Sequence, residues 1–201
     1  MRKIELKENQ KAWVTSDIHL YHKAVMSFCP DTRKRWSVMD VNEMTENIIL
    51  DWNDEIDDND LVFILGDVSF GSTTATAEAL SRMNGIKILI IGNHDEKYID
   101  KKLFAVWFEE MHHYLEIQYQ GKKIVMCHFP IAEWNACHWG SVHLHGHLHG
   151  NQNGVVPQLH KFKCFDVGID ATGRIAVPLD EVLQWAESRP NMKHGDGQQG
   201  I

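Results

Sequence analysis

Five short, largely apolar runs in this chain each end on a polar residue able to bind a metal ion, and this pattern constrains the fold more than any other feature. Ala12–Thr15 runs into Ser16-Asp17-Ile18-His19, and Leu61–Leu65 into Gly66-Asp67. Ile86–Ile91 runs into Gly92-Asn93-His94-Asp95, Lys123–Cys127 into His128, and Val142–His145 into Gly146-His147-Leu148-His149. Leu61–Leu65 is apolar throughout, as expected of a strand buried on both faces, and Ile86–Ile91 reads as a second such strand. In open α/β sheets, ligands gather beyond the carboxyl ends of the strands. Five such ends can therefore converge on one site. Gly66, Gly92 and Gly146 precede the polar residues, where the chain must turn sharply or pass close to a neighbour.

The remaining elements frame these runs. Arg2–Leu6 and Ala12–Thr15 read as two strands joined by a polar turn at Glu8–Gln10. Ser37–Asn53 reads as an amphipathic helix with Val41, Met44, Ile48 and Trp52 on its apolar side and Ser37 as N-cap. Thr73–Met83 is a second helix, stopped by Gly85. Tyr114–Tyr119 and Lys123–Cys127 flank Gln120-Gly121-Lys122 as a hairpin. Phe162–Val167 and Arg174–Val177 read as strands on either side of Gly168–Gly173. Leu179–Ser188 is a closing helix with Pro178 near its start. Asn191–Ile201 is rich in Gly and Gln and reads as a disordered tail. The expectation is an α/β fold in which two sheets pack together with helices outside, all in one domain over residues 1–190.

Composition narrows the function. With 201 residues the chain can bury a substantial core. The formal net charge of -8 disfavours binding along an extended nucleic acid, yet bound cations can reverse the field locally for a small phosphate ester. No apolar run is long enough to span a membrane, and the charged N-terminus lacks a signal-peptide core, so a cytoplasmic location is expected. Cys29, Cys127, Cys137 and Cys164 form no C-x-x-C pair and are expected to be free thiols. Nothing in the sequence sets the oligomeric state.

Imidazole and carboxylate together suit Mn, Fe, Zn or Ni better than Ca or Mg. One carboxylate can bridge two cations about 3.5–4 Å apart, as two-metal hydrolases require. Each segment alone is weak evidence: Gly66-Asp67 suits a turn, Asn93 an Asx-turn, and His128 a hydrogen-bonded core position. Their occurrence together, each after a strand, is what carries the reading.

The ordered set Asp17-x-His19, Gly66-Asp67, Gly92-Asn93-His94-Asp95, His128, Gly146-His147-x-His149 resembles the calcineurin-like metallophosphoesterase superfamily. Asp17-Ile18-His19-Leu20-Tyr21-His22, Trp52-Asn53 and Phe165-Asp166-Val167-Gly168-Ile169-Asp170 extend the similarity to a small bacterial and phage branch of predicted phosphoesterases. The resemblance implies a four-layer α/β/β/α sandwich. It implies two divalent ions, with manganese favoured. Asp17, His19, Asp67 and His149 would hold one, and Asp67, Asn93, His128 and His147 the other, with Asp67 as the bridge. His94 would face the substrate instead of a metal. One departure stands out. Where the protein-phosphatase branch has an Asp three residues after the bridging carboxylate to orient the catalytic His, this chain has Phe70. This leaves the orienting partner of His94 open, with Asp95 and a backbone carbonyl as candidates.

The expected chemistry is hydrolysis of a small phosphate ester, with a diester favoured. A metal-activated water would attack phosphorus in line, and His94 would protonate the leaving oxygen. His22 and Arg33 are candidates for substrate contact beside Asn93, Arg33 because its fork suits phosphate. Trp134 and Trp139 lie between two ligand motifs and are candidates for the pocket wall. His143 and His145 share one strand face and are expected to be structural. His112, His113, His138 and His160 lack motif context. A phosphomonoesterase, a nuclease and a catalytically silent metal- or nucleotide-binding module are the competing readings. The absence of a Lys/Arg-rich stripe counts against the nuclease.

Overall fold

The side chains of Leu61–Leu65 divide between two cores. Leu61, Phe63 and Leu65 join one apolar cluster, and Val62 and Ile64 join another. A strand that feeds a core on each face must be apolar at every position, which accounts for the unbroken run. The computed structural model describes residues 1–99, 101–151 and 158–193. Its strands are β1 (Arg2–Lys3), β2 (Ala12–Thr15), β3 (Leu61–Ile64), β4 (Ile86–Ile90), β5 (Glu110–His112), β6 (Tyr114–Tyr119), β7 (Lys122–Cys127), β8 (Val142–His145), β9 (Cys164–Asp166) and β10 (Val177–Pro178).

These strands form two five-stranded sheets, ordered β1-β6-β7-β8-β9 and β10-β2-β3-β4-β5. In the second, β2, β3, β4 and β5 run parallel, with Val14 opposite Phe63 and Phe63 opposite Ile88. In the first, β7, β8 and β9 run parallel, with Met126 opposite Leu144 and Leu144 opposite Phe165. Val14, Phe63 and Ile88 from one sheet meet Ile117, Ile124, Met126 and Leu144 from the other. That central core is the expected stacking of two sheets.

The outer faces are covered differently. Over the second sheet lie α1 (Val41–Glu55) and α2 (Thr73–Arg82), which bury Met44, Ile48, Trp52 and Leu80 against Trp13, Val62 and Leu89. Over the first sheet lies a smaller cluster of Val125, Trp134, Cys137, Leu159, Cys164 and Met192, carried by loops and two 3₁₀ turns. The closing helix α3 (Leu179–Glu187) packs Leu179, Val182 and Leu183 into the inter-sheet core.

Several boundaries differ from expectation for local reasons. The N-cap of α1 is Asp40, whose carboxylate accepts from the Asn42 and Glu43 amides. Ser37 instead donates to Glu43 and accepts from the Asp40 amide. β1 and β2 are not a hairpin: β1 pairs with β6 and β2 with β3, in different sheets. Cys164–Asp166 and Val177–Pro178 likewise belong to different sheets, with a short helix at Ile169–Thr172 between them. The hairpin β6–β7 turns on Gln120 and Gly121, both with positive φ (48° and 77°), as a type I′ turn requires. Of the expected tail, Met192 is buried, and residues 194–201 lie outside the described residues.

Candidate metal centre

Parallel register puts the carboxyl ends of β2, β3 and β4 side by side, and those of β7 and β8 on the facing sheet. The segments leaving them are stitched together. The Asp17 amide donates to the Gly66 carbonyl (3.0 Å), the His147 amide to Asp17 Oδ2 (2.9 Å), and the Ile169 amide to the Ser16 carbonyl (3.1 Å). Such close passage explains two glycines. A Cβ on Gly66, where φ is +92°, would lie 2.6 Å from His128 Nδ1 and 2.7 Å from the Gly92 Cα. A Cβ on Gly146 would run into Ser16 Oγ and Asp17 Oδ2.

Backbone strain marks the same place. Among the described residues, nine non-glycine positions have positive φ, and five of them are Asp17, His19, Asp67, His147 and His149. Each such residue costs roughly 1–3 kcal/mol and persists where surrounding structure enforces it, as at functional sites.

The side chains form two clusters. Asp17, His19 and His149 place ligand-capable atoms within 4.8 Å of one another, and so do Asp67, His128 and His147. In the first cluster, His19 Nε2 and His149 Nε2 each lie 3.7 Å from Asp17 Oδ1. In the second, His128 Nε2 lies 3.5 Å from Asp67 Oδ2 and 3.0 Å from Asn93 Oδ1. Asp67 Oδ2 is also 3.9 Å from His19 Nε2, so this one oxygen faces both clusters.

The donor set fits a cation on two counts. Asp17 Oδ1 and His19 Nε2 are buried and have no hydrogen-bond partner among the described residues. Burying such atoms unpaired is costly, and a shared cation would satisfy both. His128 Nδ1 lies 2.6 Å from the Leu65 carbonyl and must donate to it. Its Nε2 lone pair then faces two acceptor oxygens, an arrangement that a bound cation relieves. Burial pushes the Asp17 carboxyl up, but His19, His128 and His149 more than offset this and hold it at about 2.

Asp170, which carried no role in the sequence reading, braces the first cluster. Its Oδ2 is 2.8 Å from His149 Nδ1, which aims Nε2 at Asp17. The same carboxylate receives Arg33 Nε and Nη2, each at 2.8 Å. Arg33 is fully buried and also donates to the Ile18 and Asp17 carbonyls. Arg33 is therefore no substrate contact, since its guanidinium is committed beneath the site. Burial pulls the His149 pKa down, but Asp170, Cys29 and Asp17 outweigh it and lift it to about 10.

The other candidates fall as follows. His94 is 45% exposed at its side chain, with Nε2 3.9 Å from Asp67 Oδ2 and its amide anchored to Asp67 Oδ1 (3.0 Å). Asp95 is not its partner. That carboxylate is buried and accepts from the Asp67, Val68 and Gly92 amides, each at 2.9 Å. Instead, Phe70 packs 4.5 Å from the His94 ring, centroid to centroid. His22 stacks on Phe70, with the two rings parallel and their centroids 3.6 Å apart, and its Nδ1 lies 3.0 Å from His19 Nδ1. Trp134 is buried in the cluster outside the first sheet, so it does not wall the site, and Trp139 is 79% exposed, edge-on to His138. His143 donates to the Val125 carbonyl and accepts from the Ile131 amide, a structural role.

A family model described as calcineurin-like phosphoesterase matches residues 11–172, which span every one of these side chains. The chain belongs to the calcineurin-like phosphoesterase family. An uncharacterized protein of Methanocaldococcus jannaschii is 29% identical over 181 residues, covering 89% of this chain and 92% of that protein. The gene 66 protein of Mycobacterium phage L5 is 30% identical over 197 residues, covering 85% and 91%. Among solved structures, a protein of unknown function from Aquifex aeolicus superposes with a TM-score of 0.68 at 22% identity, covering 88% of this chain and all of that one. That likeness shows the shared fold. Family membership supports a metal-dependent phosphoester hydrolase, and the two clusters are its candidate metal-binding groups. No helix among the described residues is long and apolar enough to cross a membrane.

Proposed function

We propose that this member of the family is a two-metal hydrolase of small phosphate esters, with diesters preferred. The observation that carries the reading is Asp67 Oδ2, 3.5 Å from His128 Nε2 in one cluster and 3.9 Å from His19 Nε2 in the other. Asp17, His19 and His149 would hold one ion, and Asn93, His128 and His147 the second, with Asp67 shared. Two divalent ions there supply Lewis acidity for the phosphoryl oxygens and lower the pKa of bound water towards about 7. Imidazole with carboxylate suits manganese, which we favour, and equally iron, zinc or nickel.

The chain's own groups do the rest. Asp17 and Asp67 leave a net positive site for phosphate within a protein of net charge -8. His94, anchored by its amide to Asp67 and half exposed, donates a proton or hydrogen bond to the leaving oxygen. The commitment of Arg33 to Asp170 favours a diester, because this guanidinium cannot neutralise the second charge of a monoester. The acidic surface favours a small substrate over an extended nucleic acid. The four free thiols fit a reducing compartment such as the cytoplasm.

The test is hydrolysis of bis-p-nitrophenyl phosphate against p-nitrophenyl phosphate by metal-stripped protein resupplied with Mn, Fe, Zn, Ni or Mg. Restored activity with the diester ahead supports the reading. A monoester preference would reassign the substrate class, and inactivity in protein carrying two bound ions would sink it.

A further inference from the structure

The two flanks of the site offer unequal aromatic surfaces. Beside His94, Phe70 has one face covered by the parallel His22 ring at 3.6 Å, and His94 packs at 4.5 Å. That flank is filled. Beside the second cluster, Phe129 stands edge-on to His128 and His147, with ring centroids 5.0 and 4.8 Å away, and is 44% exposed. A single exposed Phe is ordinary, but this one touches two candidate metal ligands. It also lies between the buried His128 and Pro130, and a following proline restricts its backbone. The edge contacts with His128 and His147 place its exposed ring beside the second cluster, and a restricted backbone lowers the cost of ordering it there.

We propose that Phe129 is a stacking platform for a flat aromatic group on the arm of the substrate that does not leave. This rests on the diester reading above and narrows it to diesters carrying a nucleoside or aryl arm. With the leaving oxygen at His94, the arm that stays would lie on the side of Asp67 where His128 sits, beside the exposed His147 and Phe129. Any π-face suits such a platform, which makes it tolerant of the base or ring.

The test uses three diesters with the same p-nitrophenolate leaving group and a nucleoside, phenyl or ethyl second arm. In Phe129→Ala the preference in kcat/KM for an aromatic arm over ethyl should fall about tenfold. Phe129→Trp should keep it, and Phe129→Leu, which retains apolar bulk, should lose most of it. Calorimetric binding of phenylphosphonate against methylphosphonate to the metal-loaded proteins should change by the same ratio. Loss with both aromatic arms supports a general platform, and loss with the nucleoside arm alone supports a base-reading one. An unchanged preference in Phe129→Ala, or full retention in Phe129→Leu, overturns the inference while leaving the diester reading intact. Wild-type protein that cleaves p-nitrophenyl phosphate but none of the three diesters overturns both.

Discussion

The two clusters are built from the same residue types and braced to different degrees. In the first, His149 is fixed by Asp170, Asp170 is fixed by Arg33, and Arg33 closes the chain on the Asp17 and Ile18 carbonyls. In the second, His128 is buried and tied to the Leu65 carbonyl, but the His147 side chain is exposed and meets its surroundings through ring edges against His128 and Phe129. Hydrogen bonds to the far nitrogen of a ligating histidine orient it and raise its basicity. In the proposed two-metal reading, the difference implies a tight, preorganised first ion and a more exchangeable second one, beside the exposed Phe129.

Removing the brace is the most damaging way to test that asymmetry. Asp170→Ala would leave the Arg33 guanidinium buried without its carboxylate, a situation that costs about 3–5 kcal/mol. Its urea midpoint should fall accordingly, and metal analysis should find the first ion lost while the second can still be loaded. Equal loss of both ions would break the comparison. His94→Ala comes next, because His94 contacts Asp67 but belongs to neither cluster in this reading. Turnover should drop by roughly 10²–10⁴-fold with both ions retained, and a variant that sheds metal would refute the role. His147→Ala should weaken the second ion by about 10–100-fold and leave occupancy of the first unchanged in a metal titration.

Much of this candidate site was legible because its candidate ligands follow strands directly. Asp17, Asp67, Asn93, His128 and His147 each sit one to three residues beyond an apolar run, and parallel pairing does the rest. The brace was not legible. Arg33 and Asp170 are 137 residues apart, and no local pattern distinguishes a buried guanidinium from one aimed at phosphate. For Asp170 the available signal was the Phe165–Asp170 stretch that carries part of the family resemblance, and it named no role; Arg33 had none. The fold shows the same division. The α1 and α2 helices and the β6–β7 hairpin follow from local periodicity and turn chemistry. The pairing of β1 with β6, and the three-residue strand at Glu110–His112, depend on partners distant in sequence.

Proton release sharpens the comparison most finely. His149 is held at about 10 by Asp170 and Asp17 against the pull of burial, so without metal it is an imidazolium across the neutral range. His147 is pushed down from 6.5, chiefly by burial and then by His128, so it is neutral there. An ion entering the first cluster must displace the His149 proton, and its affinity should rise about tenfold per pH unit up to the His149 pKa. The second cluster has no such proton to lose at His147, and its affinity should be flatter over the same interval. Calorimetry of metal binding in buffers of differing ionisation enthalpy measures this, and equal proton release at both clusters would show that the bracing has no electrostatic consequence. The same shift fixes the sign for the metal-free fold. A histidine raised in the folded state contributes stability that is fully present below pH 6.5 and is lost as pH rises through about 10. Metal-free protein should therefore become easier to unfold in urea across that window, and His149→Gln should flatten the trend.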